Sequence, residues 1–125
     1  MDIMYSLQDG IGQELSWQIP LYEQLHRNPE LGLAEHETSA AAADNLARWG
    51  FDVRHFGGTG VVGVLANGAG PCVLARADMD ALPVAEATGA RYASATPGVM
   101  HACAHDMHVV ALLGAAKYLA EHRDT

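Results

Sequence analysis

The sequence predicts a layered α/β domain in which helices flank a sheet that mixes antiparallel and parallel strand pairs. Two stretches with helical periodicity come first, three short strand-like runs follow, and a third helical stretch comes last. Glycine-rich turns separate the strand-like runs. With 125 residues, half of them hydrophobic and 18% charged, the chain is long enough to form one domain with its own core.

The first two segments have the pattern of amphipathic helices. Residues 11–25 place apolar side chains every three or four positions, and Pro20 either kinks this helix or begins it. The segment NPELG at residues 28–32 breaks the pattern. A second, alanine-rich helix is expected from residue 35 or 38 through Trp49, with Leu46 and Trp49 on its buried side and Gly50 ending it.

Three strands are predicted next. Residues 51–56 alternate in polarity, residues 57–60 (GGTG) form a turn and residues 61–66 resume the strand pattern, so a hairpin is expected. The turn lacks the Lys-Ser/Thr ending of a P-loop and the GxGxxG spacing, which argues against a phosphate loop. Residues 72–75 (CVLA) are continuously apolar, which predicts a strand buried on both faces with Cys72 as a small core residue.

The last third of the chain is predicted to be a loop followed by a helix. Residues 83–97 show no clean period and indicate a long loop, with a short strand near residues 91–93. From Asp106 onward, the apolar positions predict a third helix with Asp106 near its N-terminus. Polar clusters at residues 26–30 and 35–38 indicate capping and surface charge.

Charge and composition restrict the partners. Lys and Arg number 7 against 15 for Asp and Glu, a formal charge of −8 without a basic cluster, so nucleic acid is not expected as a partner. The N-terminus has neither a cationic leader nor a long apolar run, so we expect no membrane insertion and a cytoplasmic location. A reducing cytosol would keep Cys72 and Cys103 as thiols.

Residues 98–108 (GVMHACAHDMH) carry a thiol, three imidazoles and a carboxylate. Cys103 and His105 are one residue apart, so an extended or turning backbone directs both to the same side. Thiolate and imidazole suit zinc, cobalt or nickel, although two ligands are too few for a tight site. His101 and His108 lie at helical spacing from His105, and only some of these residues can be ligands. The alternative is a buried thiol beside a surface imidazole.

Asp78 and Asp80 directly follow the predicted buried strand. Alternate residues point to the same side, so both carboxylates could face one cleft, and an Asp near a metal-bound histidine commonly fixes its ring. The alternative is that one of them is a solvated turn residue.

Five motifs in order resemble the metal-dependent aminoacylase and carboxypeptidase family, in particular its branch of hippurate hydrolases and indole-acetyl-amino-acid hydrolases. They are LHRNPELG at residues 25–32, Glu35 with Thr38, GGTGVVG at residues 57–63, RADMDALP at residues 76–83 and MHACAHD at residues 100–106. The last resembles the Cys-Gly-His-Asp motif of that branch. The resemblance runs from about residue 21 to residue 119.

The resemblance implies a partial catalytic domain of a zinc-peptidase-like fold, with the function of a metal-dependent amidohydrolase. Cys103 and His105 would be ligands of a two-metal centre of Zn, Mn, Co or Ni ions that cleaves the amide bond of N-acyl amino acids, and Asp80 would be a supporting carboxylate. The family's general base, its other metal ligands and its lid or dimerisation domain lie downstream of these motifs. Residues 1–125 are therefore expected to be the N-terminal part of the catalytic domain, inactive alone, with homo-oligomers only in the full-length protein.

Ala104 stands where the family usually has glycine. If the backbone there has a positive φ, alanine is strained by about 1 kcal/mol or more. Two other classes of protein remain open. One is a non-catalytic metal-binding or interaction module, and the other is a thiol redox sensor that uses Cys72 and Cys103.

Overall fold

The computed structural model describes the backbone of residues 3–123 and the side chains of residues 10–123. Its regular structure comprises three helices, α1 (Ile3–Arg27), α2 (His36–Arg48) and α3 (His105–Glu121), and one hairpin of β1 (Asp52–Phe56) and β2 (Gly60–Val64). This mixed composition confirms the predicted α/β class. Residues 1–2, part of the N-terminal segment in which no cationic leader was predicted, lie outside the described residues.

Helix α1 begins eight positions before the predicted start and continues to Arg27. Pro20 therefore lies inside the helix, and the alternative that it begins the helix is wrong. Proline has no N–H to pair with the Ser16 carbonyl, and because Ser16 and Pro20 are both exposed, water can pair with that carbonyl instead. The helix ends before Pro29, and the Asn28 side-chain amide donates to the Gln24 carbonyl at 2.8 Å, which satisfies one of the last carbonyl groups.

Helix α2 occupies the predicted position, and its first turn is capped by a carboxylate from outside the helix. The Glu30 side chain accepts the backbone N–H groups of Glu37 and Thr38 at 2.9 and 2.8 Å and the Thr38 hydroxyl at 2.7 Å. Burial opposes ionisation of Glu30, but these hydrogen bonds outweigh it and lower the pKa of its carboxyl group. The capping expected of this cluster is confirmed. The expected surface charge is wrong for His26 and Glu35, which are buried.

The hydrophobic core lies where the three helices meet. Leu25 of α1 packs with Val109, Val110 and Leu113 of α3, all four buried. Burial of each such side chain contributes about 1.5–3 kcal/mol. Leu46 and Trp49, predicted on the buried side of α2, pack against this cluster.

The hairpin is antiparallel with Asp52 opposite Val64 and Phe56 opposite Gly60, which confirms the predicted hairpin. Its turn contains Gly57 and Gly58 at φ of 59° and 91°, backbone conformations that glycine adopts without a steric penalty. Residues 57–60 thus form a hairpin turn rather than a phosphate loop. Glu35 fixes this turn to α2, because its carboxylate accepts the Thr59 hydroxyl at 2.7 Å.

Two predicted strands are wrong. Residues 72–75 form no strand, Cys72 is exposed, and Val73 and Leu74 are 88% and 85% exposed. A strand buried on both faces needs neighbours and covering layers, and residues 3–123 provide no ladder for this run. The short strand near residues 91–93 is a turn, in which the Ala93 N–H donates to the Ala90 carbonyl at 3.0 Å. The remainder of the predicted loop is irregular, as expected.

In the part of the chain that the structure describes, no helix has both the length and the apolar character needed to cross a membrane.

Candidate metal centre

A short ladder of backbone hydrogen bonds brings the candidate site residues together. The Ala81 N–H donates to the Glu30 carbonyl at 2.8 Å, and Leu82 and Met100 exchange two backbone hydrogen bonds of 2.9 and 3.0 Å. Residues 81–82 therefore lie between the segment after α1 and the segment before α3. This pairing places Asp80 next to the cysteine and histidine motif.

Asp80 contacts His105 directly. The His105 Nδ1 lies 2.9 Å from Asp80 Oδ1 and 3.0 Å from the Asp80 carbonyl oxygen. Both neighbours accept hydrogen bonds, so Nδ1 carries a hydrogen, and in the neutral imidazole Nε2 then has the lone pair. A histidine held in this tautomer is prepared to bind a metal ion through Nε2.

Asp78 lies in a different environment from Asp80. Its carboxylate pairs with Arg76 two residues before it, and the two side chains are 41% and 75% exposed. An ion pair as exposed as this contributes little to stability. Of the two aspartates that the sequence placed at the strand end, the structure brings Asp80, rather than Asp78, to His105.

Cys103 and His105 are joined by a turn in a left-handed conformation. Ala104 has φ of 58° and ψ of 28°, and helix α3 begins at the next residue. Cys103 is an exposed, free thiol, as is Cys72. The position after Cys103 therefore has a positive φ, at which alanine is strained and glycine would not be.

We predict that Ala104→Gly stabilises the chain by about 0.5–1 kcal/mol, since relief of about 1–2 kcal/mol of left-handed strain exceeds the backbone entropy that glycine loses on folding. The free energy of unfolding from chemical denaturation measures this. The matched control is Ala47→Gly at an exposed position inside α2, which is expected to cost about 1 kcal/mol. Equal destabilisation by both changes would contradict the prediction.

The two other histidines of the motif differ in their surroundings. His101 is 4% exposed, and neither ring nitrogen has a hydrogen-bond partner among the described residues. Burial lowers the pKa of His101. The negative charge of Asp106 acts in the other direction but does not outweigh burial. His108 is exposed, with its ring 5.9 Å from the His105 ring. The orphaned His101 nitrogens mark a buried polar position whose partner is not among the described residues.

Sequence reasoning missed a buried network of His26, Asp106 and Glu86 beside this site. The His26 Nδ1–H donates to Asp106 at 2.6 Å, and its Nε2–H donates to Glu86 at 3.1 Å. Asp106, the second residue of α3, is 1% exposed, and the Glu86 side chain is 4% exposed. The partners of His26 are 80 and 60 residues away, so no local spacing could have indicated the network.

The network favours a charged imidazole between two carboxylates. Burial alone lowers the pKa of His26, but the hydrogen bonds and charges of Asp106 and Glu86 outweigh it and raise the pKa. Hydrogen bonds from the Thr88 hydroxyl and the Ser94 N–H, with a smaller contribution from His26, lower the pKa of Glu86 to about 2. His26 therefore donates from both ring nitrogens.

The lowered pKa of Glu86 predicts a loss of stability in acid. A carboxyl group with a depressed pKa stabilises the fold above its ordinary value of 4.5, and this contribution disappears as the pH falls towards about 2. Thermal unfolding of the native chain should therefore show a falling midpoint over this range, and Glu86→Gln should flatten that fall. Identical pH profiles for the two proteins would exclude the contribution of Glu86.

The donor chemistry fits a divalent transition metal. The motif supplies a thiol and an imidazole lone pair, and Asp80 fixes the imidazole ring. Among the side chains that the structure describes, residues 10–123, no group of three or more His, Cys, Asp or Glu is arranged to hold an ion. The described residues thus contribute two donors and one orienting carboxylate.

Comparisons with known proteins identify a family that this chain resembles. The model of peptidase family M20/M25/M40 matches residues 74–125, which include Asp80, Cys103 and His105. Thermostable carboxypeptidase 2 of Saccharolobus solfataricus is 41% identical over 99% of this chain, and hippurate hydrolase of Campylobacter jejuni is 50% identical over 78% of it. A crystal structure of a dinuclear metal binding peptidase of the M20 family from Bacillus subtilis superposes with a TM-score of 0.83 at 33% identity, covering 90% of this chain and 32% of that one.

In sequence and in fold, the chain resembles members of peptidase family M20/M25/M40. It spans 32% of the length of the carboxypeptidase and 26% of the length of the hippurate hydrolase, so it covers a quarter to a third of these curated relatives. The resemblance drawn from the five sequence motifs is confirmed.

Proposed function

We propose that the protein containing this chain is a metal-dependent amidohydrolase that releases free amino acids from N-acyl amino acids. The contact between Asp80 and His105 carries the proposal, because it fixes a histidine two residues after an exposed thiol in the tautomer that binds a metal ion. The 50% identity to hippurate hydrolase of Campylobacter jejuni supports N-acyl amino acids as the substrate class.

Each residue of the proposed site has a distinct role. Cys103 and His105 would hold a divalent ion of the series Zn, Mn, Co or Ni, and the relative from Bacillus subtilis binds two metals. When bound, such an ion polarises a carbonyl group and makes water acidic enough to be a nucleophile near neutral pH. Asp80 accepts the Nδ1–H of His105 and so directs Nε2 towards the ion.

The remaining parts of the proposed enzyme are assigned to other parts of the polypeptide. We place this chain in the N-terminal part of the catalytic domain, and we assign the general base, the further metal ligands and the lid or dimerisation domain to residues outside it. The coverage of 32% and 26% of the two curated relatives supports this division. Two donors from the described residues also leave most of a four-coordinate shell to other groups.

The test is metal-dependent hydrolysis by the complete protein. Hippurate should be cleaved to glycine, a chelator should stop the release of glycine, and added Zn, Mn, Co or Ni should restore it. The 125-residue chain alone should release no glycine above the uncatalysed rate, because its described residues supply only two of the donors. Undiminished turnover after chelation has removed the bound metal would refute the proposal.

A further inference from the structure

We infer that His26 is a positioning residue for the proposed metal site, and that its Nδ1 hydrogen bond to Asp106 holds the turn that connects Cys103 to His105. The inference rests on the proposed function, because the metal donors are the same two residues. His26 itself lies at the end of α1, outside the metal-binding motif.

Asp106 is fixed from two directions. Its Oδ2 accepts the His26 Nδ1–H at 2.6 Å, and its Oδ1 accepts the Met107 N–H at 2.9 Å. At 1% exposure, Asp106 has no room to exchange these partners for bulk water. The first turn of α3 is thereby attached to the last turn of α1.

Two consecutive residues of the motif are therefore anchored to different parts of the fold. Asp80 holds the ring of His105, and His26 holds the carboxylate of Asp106. Immediately before them, Ala104 is in the left-handed conformation, which is strained for alanine and persists only where the surroundings enforce it. Release of the Asp106 anchor would let Ala104 relax, and this relaxation would change the position of Cys103 relative to His105.

The two nitrogens of His26 have separable roles. Nδ1 reaches the motif through Asp106, whereas Nε2 reaches Glu86 in the loop of residues 83–97. The rings of Tyr22 and Tyr92 lie 5.6 and 5.3 Å from the His26 ring and hold it in place. The Nδ1 contact is thus expected to govern metal binding, and the Nε2 contact to govern only the stability of the loop.

The experiment separates the two contacts with a pair of amides. Asn places its side-chain nitrogen near the position of Nδ1, and Gln places its nitrogen near that of Nε2. The complete protein, freed of metal, is titrated with Co²⁺ alone, and the thiolate-to-cobalt charge-transfer band is followed. We expect His26→Gln to weaken Co²⁺ binding by about 10–100-fold, as is typical when a group that supports a metal ligand is lost, and His26→Asn to bind like the native protein.

Glu86→Gln is the matched control, because it alters only the Nε2 side of the network. It should lower the unfolding midpoint and leave the Co²⁺ affinity unchanged. Where His26→Gln does not fold, Asp106→Asn gives an equivalent test. Asparagine has one acceptor oxygen, which would have to accept the hydrogen bonds of both His26 and Met107. We expect this variant to lose Co²⁺ affinity as well.

The outcomes are distinct. Native Co²⁺ affinity in His26→Gln, or in Asp106→Asn, would overturn the inference. Equal losses of affinity in the Asn, Gln and Glu86→Gln variants, in step with their loss of stability, would reduce His26 to a structural residue and would also overturn it. A native protein without a charge-transfer band would instead refute Cys103 as a metal ligand, and with it the proposed site.

Discussion

Replacement of Cys103 with alanine is expected to abolish the metal-dependent release of glycine from hippurate by the complete protein. A thiolate is a charged donor, and its loss removes one of the two ligands that the described residues supply. Because Cys103 is exposed, its truncation leaves no cavity and should change the free energy of unfolding by no more than about 0.5 kcal/mol. The kcat/KM for hippurate and the metal content per chain measure the effect.

Cys72 provides the matched control for this substitution. It is the other exposed, free thiol, and Cys72→Ala removes the same group outside the motif. We expect native turnover and native metal content in this variant. Native turnover in Cys103→Ala would disprove the assignment of Cys103 as a metal ligand. Equal losses of turnover in the two variants would show that the effect is not specific to Cys103.

Local patterns predicted the elements whose determinants are local. The hairpin was predictable because residues 57–60 combine the glycines that its turn conformation requires, between two strand-like runs. Helix α2 was predictable because an alanine-rich run ends at Gly50, whose φ is 85°. The start of α1 was misplaced, because Gly10 lowers the local helix propensity, yet the backbone is helical from Ile3 onward.

The run at residues 72–75 shows what local patterns leave undetermined. Its composition is that of a buried strand, yet Val73 and Leu74 are among the most exposed apolar side chains in the described part of the chain. Whether such a run forms a strand depends on partners that a local window does not contain. The same reasoning placed Cys72 in a core, and the structure places it at the surface.

The candidate site was predictable only in part, for the same reason. The motif order singled out Asp80, Cys103 and His105, and the structure brings Asp80 against His105. The role of His26 was not predictable, because its carboxylate partners come from positions 60 and 80 residues along the chain. A histidine next to an arginine and an asparagine has the appearance of a surface cluster until the fold is known.

The substitution Asp106→Ala is expected to lower the free energy of unfolding by about 2–3 kcal/mol, because it leaves a buried hydrogen-bond donor to a charged group without its acceptor. The donor is the Nδ1–H of His26, a residue that is 6% exposed, while its Nε2–H keeps Glu86 as a partner. The Met107 N–H loses its acceptor in the same variant. Chemical denaturation of the native and variant proteins, analysed for midpoint and slope, measures the difference.

An exposed pair provides the comparison that isolates burial as the cause. Asp52 and Arg54 form an ion pair of 2.8 Å with side chains 61% and 74% exposed, so Asp52→Ala should cost no more than about 1 kcal/mol. The two substitutions remove the same atoms and the same charge, and they differ in the solvent available to the remaining partner. Equal costs at the two positions would mean that water compensates His26 as well as Asp106 does. That result would be incompatible with a buried network that anchors α3 to α1.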